Sequence, residues 1–253
     1  MSINEDIQKT IDLLKTSDIN GCITGSSMIG ADYDTWERIP DVDLFVYNEK
    51  QLLHAVDKLM MVYDYNPATK GEAWKIERIG NRNTQKHMAL QTVKLKRNDS
   101  DVIINVSWKD KRDNLFAVLS SFDMSIIMIG YDIPNKVHLD LRVGWPGMVV
   151  EDVYGKWSKS VNVAVPNPLR KQDTDMYGTK MWVRQFDRCI KYWDRGFDTR
   201  PMAEFYIGLI NKVIEDGQLF ESEASEEAYQ AFCDEFVPVR ENMKQWLEGK
   251  EDL

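Results

Sequence analysis

Apolar residues recur along this chain with two different periods, and the change of period divides it in two. Near the start, Ile7, Ile11 and Leu14 stand at helical spacing and predict an amphipathic helix over residues 5–15. Gly21-Cys22-Ile23-Thr24 reads as a strand running into a turn or short helix at Gly25-Ser26-Ser27, followed by a polar stretch from Ala31 to Pro40. Val42 to Tyr47 is a β-rich run ended by Asn48, and the pattern over 50–63 sets Leu52, Leu53, Val56, Leu59 and Met60 on one side of a helix. Residues 73–145 alternate as strands do. The predicted strands are Trp74–Ile79, Met88–Lys96, Val102–Trp108, Met124–Ile129 and Val137–Val143, with a helical patch over Asn114–Leu119. After Pro146 the period lengthens to three helical segments, 173–194, 201–215 and 224–248, separated by Gly196 and Gly217. Pro166 and Pro168 break the pattern between the halves. The expected fold is therefore α/β (α+β): a mixed-sheet domain over residues 1–165 and a C-terminal helical domain over 166–253.

Composition narrows the class of protein without changing this picture. The 253 residues are 43% hydrophobic and 29% charged, a balance that excludes a disordered or low-complexity chain. A formal charge of −9 disfavours a broad nucleic-acid or anionic-membrane surface and leaves room for a local basic patch. Cys22, Cys189 and Cys233 are scattered and odd in number, which argues for a reducing compartment and against structural zinc. The polar, acidic N-terminus and the lack of a long apolar run predict a cytoplasmic protein with no membrane partner.

The candidate chemistry lies in Ile23-Thr24-Gly25-Ser26-Ser27 and Asp41-Val42-Asp43-Leu44. Carboxylates at i and i+2 on one strand project from the same face, roughly 7 Å apart at the backbone. Like charges that close share a proton or take a cation, and a hard divalent ion suits oxygen ligands of this kind. A Gly-Ser turn between strand and helix offers backbone N–H groups and a hydroxyl to a phosphate. Taken singly, the acids are an ordinary solvated strand entry and the glycine an ordinary turn. Their order, with a strand on either side of the turn, carries the functional reading.

These residues resemble the DNA polymerase β-like nucleotidyltransferase superfamily, in particular its small stand-alone members from phages and mobile elements. Thr24-Gly25-Ser26 and Asp41-Val42-Asp43-Leu44 match the hallmark, with Thr before the glycine and a spacer of fourteen residues, slightly longer than usual. The resemblance implies a third carboxylate on a later strand. Asp123, in Phe122-Asp123-Met124, is preferred, with Asp140, in Leu139-Asp140-Leu141, as the alternative and Asp101 as a weaker third choice. It further implies that Asp41, Asp43 and Asp123 hold two Mg²⁺ ions, replaceable by Mn²⁺, while Gly25, Ser26 and Ser27 hold the phosphates of an NTP. The reaction is then transfer of a nucleoside monophosphate to an acceptor hydroxyl, with release of pyrophosphate. The acceptor is an RNA such as a tRNA, a protein side chain or a small molecule, in the host cytoplasm if the chain is phage-encoded. The rival readings are a catalytically silent relative that binds a nucleotide or a partner protein, as an antitoxin does, and a plain interaction module with no nucleotide site.

Lys180, Arg184, Arg188, Lys191 and Arg195 form a basic stripe on the first long C-terminal helix. Lys180 and Arg184 are its candidates for meeting a triphosphate, against a solvated face paired with nearby acids. Val183, Phe186, Ile190 and Trp193 form an apolar stripe expected to face the core. His54, His87 and His138 share no metal-ligand spacing, so packing or surface roles are expected.

Overall fold

In a computed structural model of the chain, residues 3–33, 41–80, 90–142, 164–167, 176–216 and 226–250 are described. They divide into two compact units, Met1–Phe122 with Ile127–Arg142, and Asp123–Ile126 with Val143–Leu253.

The first unit is a seven-stranded mixed sheet with helices. Its elements are α1 (Ile3–Thr16), β1 (Gly21–Thr24), α2 (Ser26–Tyr33), β2 (Asp41–Val46), α3 (Glu49–Tyr63), β3 (Tyr65–Pro67), α4 (Lys70–Gly80), β4 (Leu90–Arg97), β5 (Ile103–Lys109), α5 (Leu115–Leu119), β6 (Ile129–Asp132) and β7 (Val137–Asp140). The spatial order is β3-β4-β5-β2-β1-β6-β7, with β2 and β5 parallel and every other pair antiparallel. Alternation decides the faces. Val42, Leu44 and Val46 of β2, with Ile104 and Val106 of β5, Val93 and Leu95 of β4 and Ile23 of β1, are fully buried on one side. The buried stripes of α1 (Ile7, Ile11, Leu14) and α3 (Leu52, Ala55, Val56, Leu59) cover that side. The other side carries Asp41, Asp43, Asn105, Ser107, Thr92 and Lys94, a polar face on a sheet whose core lies behind it. Local chemistry fixes the ends of α3. Asn48 accepts the Gln51 N–H at 3.0 Å to start the helix, and Asp64 takes a left-handed conformation at φ 59° to end it.

Three sequence expectations are corrected here. Residues 74–79 are helical, within α4, and not a strand. Trp74 and Ile76 carry β propensity, but Thr69 and Glu72 stand at capping-box spacing, and the Thr69 hydroxyl accepts the Glu72 N–H at 3.3 Å. Glu72, buried, then accepts the Lys94 N–H at 3.0 Å and pins the helix to β4, while Trp74 lies 73% exposed. The strand expected over 124–129 begins only at Ile129. Ser125–Ile127 form a 3₁₀ turn, because Ser125 bonds to Val165 through both its N–H (2.9 Å) and its hydroxyl (3.1 Å) and leaves the sheet. The last strand stops at Asp140, where Arg142 folds back onto the Asp140 carboxylate.

The second unit is built on α6 (Met176–Trp193), α7 (Arg200–Asp216) and α8 (Glu226–Glu248). Phe232, Phe236 and Met243 of α8 and Met202, Ala203, Tyr206 and Ile210 of α7 are buried. On α6 the fully enclosed side is Gln185, Cys189 and Tyr192. Phe186, Ile190 and Trp193 are only half-buried, so these three members of the apolar stripe are not the enclosed ones, and the Val183 side chain lies outside the described residues. Phe186 and Trp193 instead meet Trp246 of α8 edge to face, at 6.2 and 5.6 Å. The division between units also differs from one at residue 165. Asp123–Ser125 pairs with Val165–Asn167 through a bridge at Met124 and Pro166, and Ala164 donates to the Asp198 carbonyl at 2.8 Å, so both short segments belong with the helices.

Candidate active site on the polar face of the sheet

Strand register assembles the site. Thr24 of β1 stands opposite Asp43 of β2, which stands opposite Asn105 of β5, which stands opposite Lys94 of β4. Partners across a ladder share a face, so hydroxyl, carboxylate, amide and ammonium lie in one row, with Asp41 in the next row on the same face. The Asn105 Nδ2 group donates to Asp41 Oδ2 and to Asp43 Oδ1, each at 2.9 Å. One nitrogen reaching both side chains means that the two carboxylates lean together, as the i, i+2 spacing predicts.

Beside them, Gly25 links β1 to α2 at φ +79°, a conformation that L side chains rarely adopt. A Cβ on Gly25 would lie 2.5 Å from Asp43 Oδ2, so glycine lets the turn close onto the acid. The first turn of α2 follows, with Ser26 and Ser27 both buried and the Ser27 hydroxyl donating back to the Thr24 carbonyl at 3.3 Å. Two buried polar atoms stand out in this cluster. Thr24 Oγ1, on a fully buried residue, and Asn105 Oδ1 have no hydrogen-bond partner among the described residues. The Thr24 methyl faces Gly130 of β6, where a Cβ would meet it at 3.0 Å.

The remaining candidate acids have partners of their own. Asp123 belongs to the second unit, where it accepts from Arg188 NH2 at 3.0 Å. Asp140 lies on edge strand β7, one register row away from the Leu139-Gly130-Thr24-Asp43 row and hence on the opposite face, and Arg142 holds it with Nε at 3.0 Å and NH2 at 2.7 Å. Burial opposes ionisation there, but the Arg142 hydrogen bonds and charge win and lower the Asp140 pKa. Asp101 is exposed and paired with Lys96. Arg184 is exposed on α6; the Lys180 side chain lies outside the described residues. The rest of the basic stripe gathers on one ring: Arg188, Lys191 and Arg195 stand 5.7, 5.7 and 5.2 Å from the Tyr192 centroid.

Among the described residues, no three His, Cys, Asp or Glu side chains form a group able to hold a metal ion. The oxygen-rich set at β2 is two carboxylates, an amide and a hydroxyl, a hard donor set that fits Mg²⁺ or Mn²⁺ and not zinc. Cysteine chemistry has no place here: burial pushes the Cys22 and Cys189 thiols up to about 12. Sequence reading missed Asn105 because it sought a third carboxylate. The signal available was the apolar-flanked polar residue in Ile104-Asn105-Val106. Comparison of the chain with protein-family models, curated proteins and solved structures finds no match in any of the three. No helix among the described residues is long and apolar enough to cross a membrane.

Proposed function

We propose that the chain is a nucleotidyltransferase, and the observation that carries this reading is the closure of the Gly25 turn onto the Asp43 carboxylate. That contact brings a strand-to-helix turn and the first turn of α2 against a paired-acid strand. Phosphate and hard cation are the ligands these two features take, and they meet on one substrate, a nucleoside triphosphate. Asp41 and Asp43 hold the cation, with Asn105 between them. When bound, the cation neutralises triphosphate charge and lowers the pKa of the acceptor hydroxyl. The backbone amides at Ser26 and Ser27 hold the phosphates, and Gly25 keeps the backbone close enough to do so. The acceptor hydroxyl gives up its proton to solvent water, its oxygen forms a bond to the α-phosphorus, the bond from that phosphorus to the bridging oxygen breaks, and pyrophosphate leaves. Three free cysteines support a reducing, cytoplasmic setting.

A second reading, binding of a nucleotide or partner without turnover, is favoured by the neutral amide of Asn105, which donates to both Asp41 and Asp43. One experiment separates them. The chain is incubated with each α-labelled NTP, Mg²⁺ and, in turn, total RNA, protein or small-molecule extract. Label in an acceptor fraction, absent with Asp43→Ala, supports transfer. A thermal shift with NTP and no labelled acceptor supports the silent reading, since ligand at 100 times its dissociation constant adds about 2.7 kcal/mol. Neither label nor shift overturns both.

A further inference from the structure

We infer that the acceptor of this transfer is a small alcohol that itself carries a phosphate, held over β5 and β4 by Asn105, Lys94 and Thr92, with Lys94 setting the specificity. The inference rests on the reading above and names the substrate class that reading leaves open. Displacement at the α-phosphorus places the attacking and leaving oxygens roughly in line, on opposite sides. The phosphate turn, Gly25-Ser26-Ser27, continues from β1 on one side of Asp43, and β5 and then β4 lie on the other. Pyrophosphate held at that turn departs toward β1. The acceptor hydroxyl therefore arrives from the side of β5 and β4.

Three groups on that side call for different parts of one molecule. Asn105 commits its Nδ2 to the two acids, while its Oδ1, on a residue 9% exposed, accepts from no group among the described residues. A buried amide oxygen beside the acids takes a hydroxyl hydrogen. One strand further along the same row, Lys94 is exposed, and its ammonium makes no hydrogen bond or ion pair among the described residues. The other basic residues of β4 differ: Lys96 pairs with Asp101 at 2.8 Å and Arg97 with Asp99 at 2.5 Å. In the next row of the face, Thr92 Oγ1 and Ser107 Oγ share one hydrogen bond of 2.8 Å, which uses one of their two hydroxyl hydrogens and leaves the other to donate. An ammonium and a spare O–H donor suit an anionic oxygen. Neighbouring strands stand about 5 Å apart, so a hydroxyl at Asn105 and a phosphate at Lys94 fit on one small molecule. A single lysine left over on β4 answers a single phosphate, whereas a polynucleotide would bring several to a chain of net charge −9. In the reaction the acceptor hydroxyl loses its proton to solvent water and its oxygen bonds to the α-phosphorus as pyrophosphate leaves. The product is a phosphodiester, and the acceptor's own phosphate is unchanged.

The test gives the full chain each α-labelled NTP with Mg²⁺ and compares acceptor samples from one cell lysate. These are the small-molecule filtrate, the same filtrate after alkaline phosphatase has removed its phosphate esters and been filtered out, and the total RNA and protein. Label is expected in a product of the untreated filtrate, about tenfold less or lower after phosphatase, and none on RNA or protein. Lys94→Gln, at an exposed position, is expected to lower labelling about tenfold at limiting filtrate while the KM for NTP stays within about twofold. Lys94→Arg, which keeps the charge, is expected to recover most of the labelling. A lysine that only holds structure would move both parameters or neither. Equal labelling before and after phosphatase, label confined to RNA or protein, or wild-type labelling by Lys94→Gln overturns the inference and leaves nucleotidyl transfer standing. No label in any sample overturns both.

Discussion

Asp140 and Asp198 end on arginine forks, whereas Asp41 and Asp43 converge on an amide. The two forks are built alike. An arginine two residues on donates its backbone N–H and its Nε to one carboxylate oxygen and its NH2 to the other, Arg142 to Asp140 and Arg200 to Asp198. Such a clamp is local, permanently charged and bidentate, so it satisfies the acid for good. Asn105 does something different: it reaches across from another strand, offers hydrogen bonds without charge, and can turn over. The contrast separates acids held by a charged guanidinium from a pair joined by a neutral amide, and Asp123, with Arg188 at 3.0 Å, resembles the forks more than the pair.

The comparison breaks most visibly if the pair proves dispensable. Asp43→Ala should abolish transfer, because losing a cation ligand forfeits several kcal/mol of charge stabilisation, about 10³-fold in rate or more. The fold should persist, since Asp43 is only half-buried and lies on the polar face. Single-turnover assays with labelled NTP, beside a thermal melt, read both. Gly25→Ala comes next. It combines a left-handed conformation, about 1–2 kcal/mol for an L residue, with a Cβ 2.5 Å from the acid it faces. A thermal midpoint lower by several degrees, together with weakened Mn²⁺ binding, is expected; an unchanged melt and unchanged binding would show that the turn does not close on the acid.

Local sequence pattern specifies some elements of this fold and leaves others to distant contacts. Elements fixed by near-neighbour patterning matched within a few residues: β1, β2, α3 and the three long helices follow from apolar period and caps such as Asn48. The stretch at 74–79 misled because Trp74 and Ile76 favour strands individually, while the capping hydroxyl of Thr69 and the distant Lys94 N–H decide the outcome. At the site, Asp41, Asp43 and Gly25 were readable as a spacing along the chain. Asn105 stands out along the chain only as a polar residue between apolar neighbours, because its contact with both acids comes from a parallel strand pairing across some sixty residues.

Asp123 sharpens the same comparison from the other side. Arg188→Gln leaves a mostly buried carboxylate without its guanidinium and should cost about 1–3 kcal/mol, read as a lower denaturation midpoint. Asp123→Asn, which keeps the shape, should cost less and leave Mn²⁺ affinity within about twofold. Weakened Mn²⁺ binding in that variant would instead make Asp123 the third ligand that the resemblance implies.

The smallest expected effect concerns Asp198. Burial raises its pKa, but hydrogen bonds from the Arg200 side chain and backbone, with the Arg200 charge, outweigh it and set the folded value below the ordinary one. A carboxylate whose folded pKa is depressed adds stability that is fully present above its unfolded pKa, about 3.9, and is lost as pH falls through the lower folded value. Both partners are partly solvent-exposed, so the contribution is about 0.5–1 kcal/mol. Arg200→Gln should therefore lower the thermal midpoint at pH 6–7, with the gap to wild type closing as the acid protonates. Arg200 also lies over the Trp193 ring at 5.9 Å, a contact that does not titrate, so a small constant offset should survive at low pH. A gap that stays level from neutral to acid pH would assign the whole effect to that ring contact and remove Asp198 from the class of acids held by a charged fork.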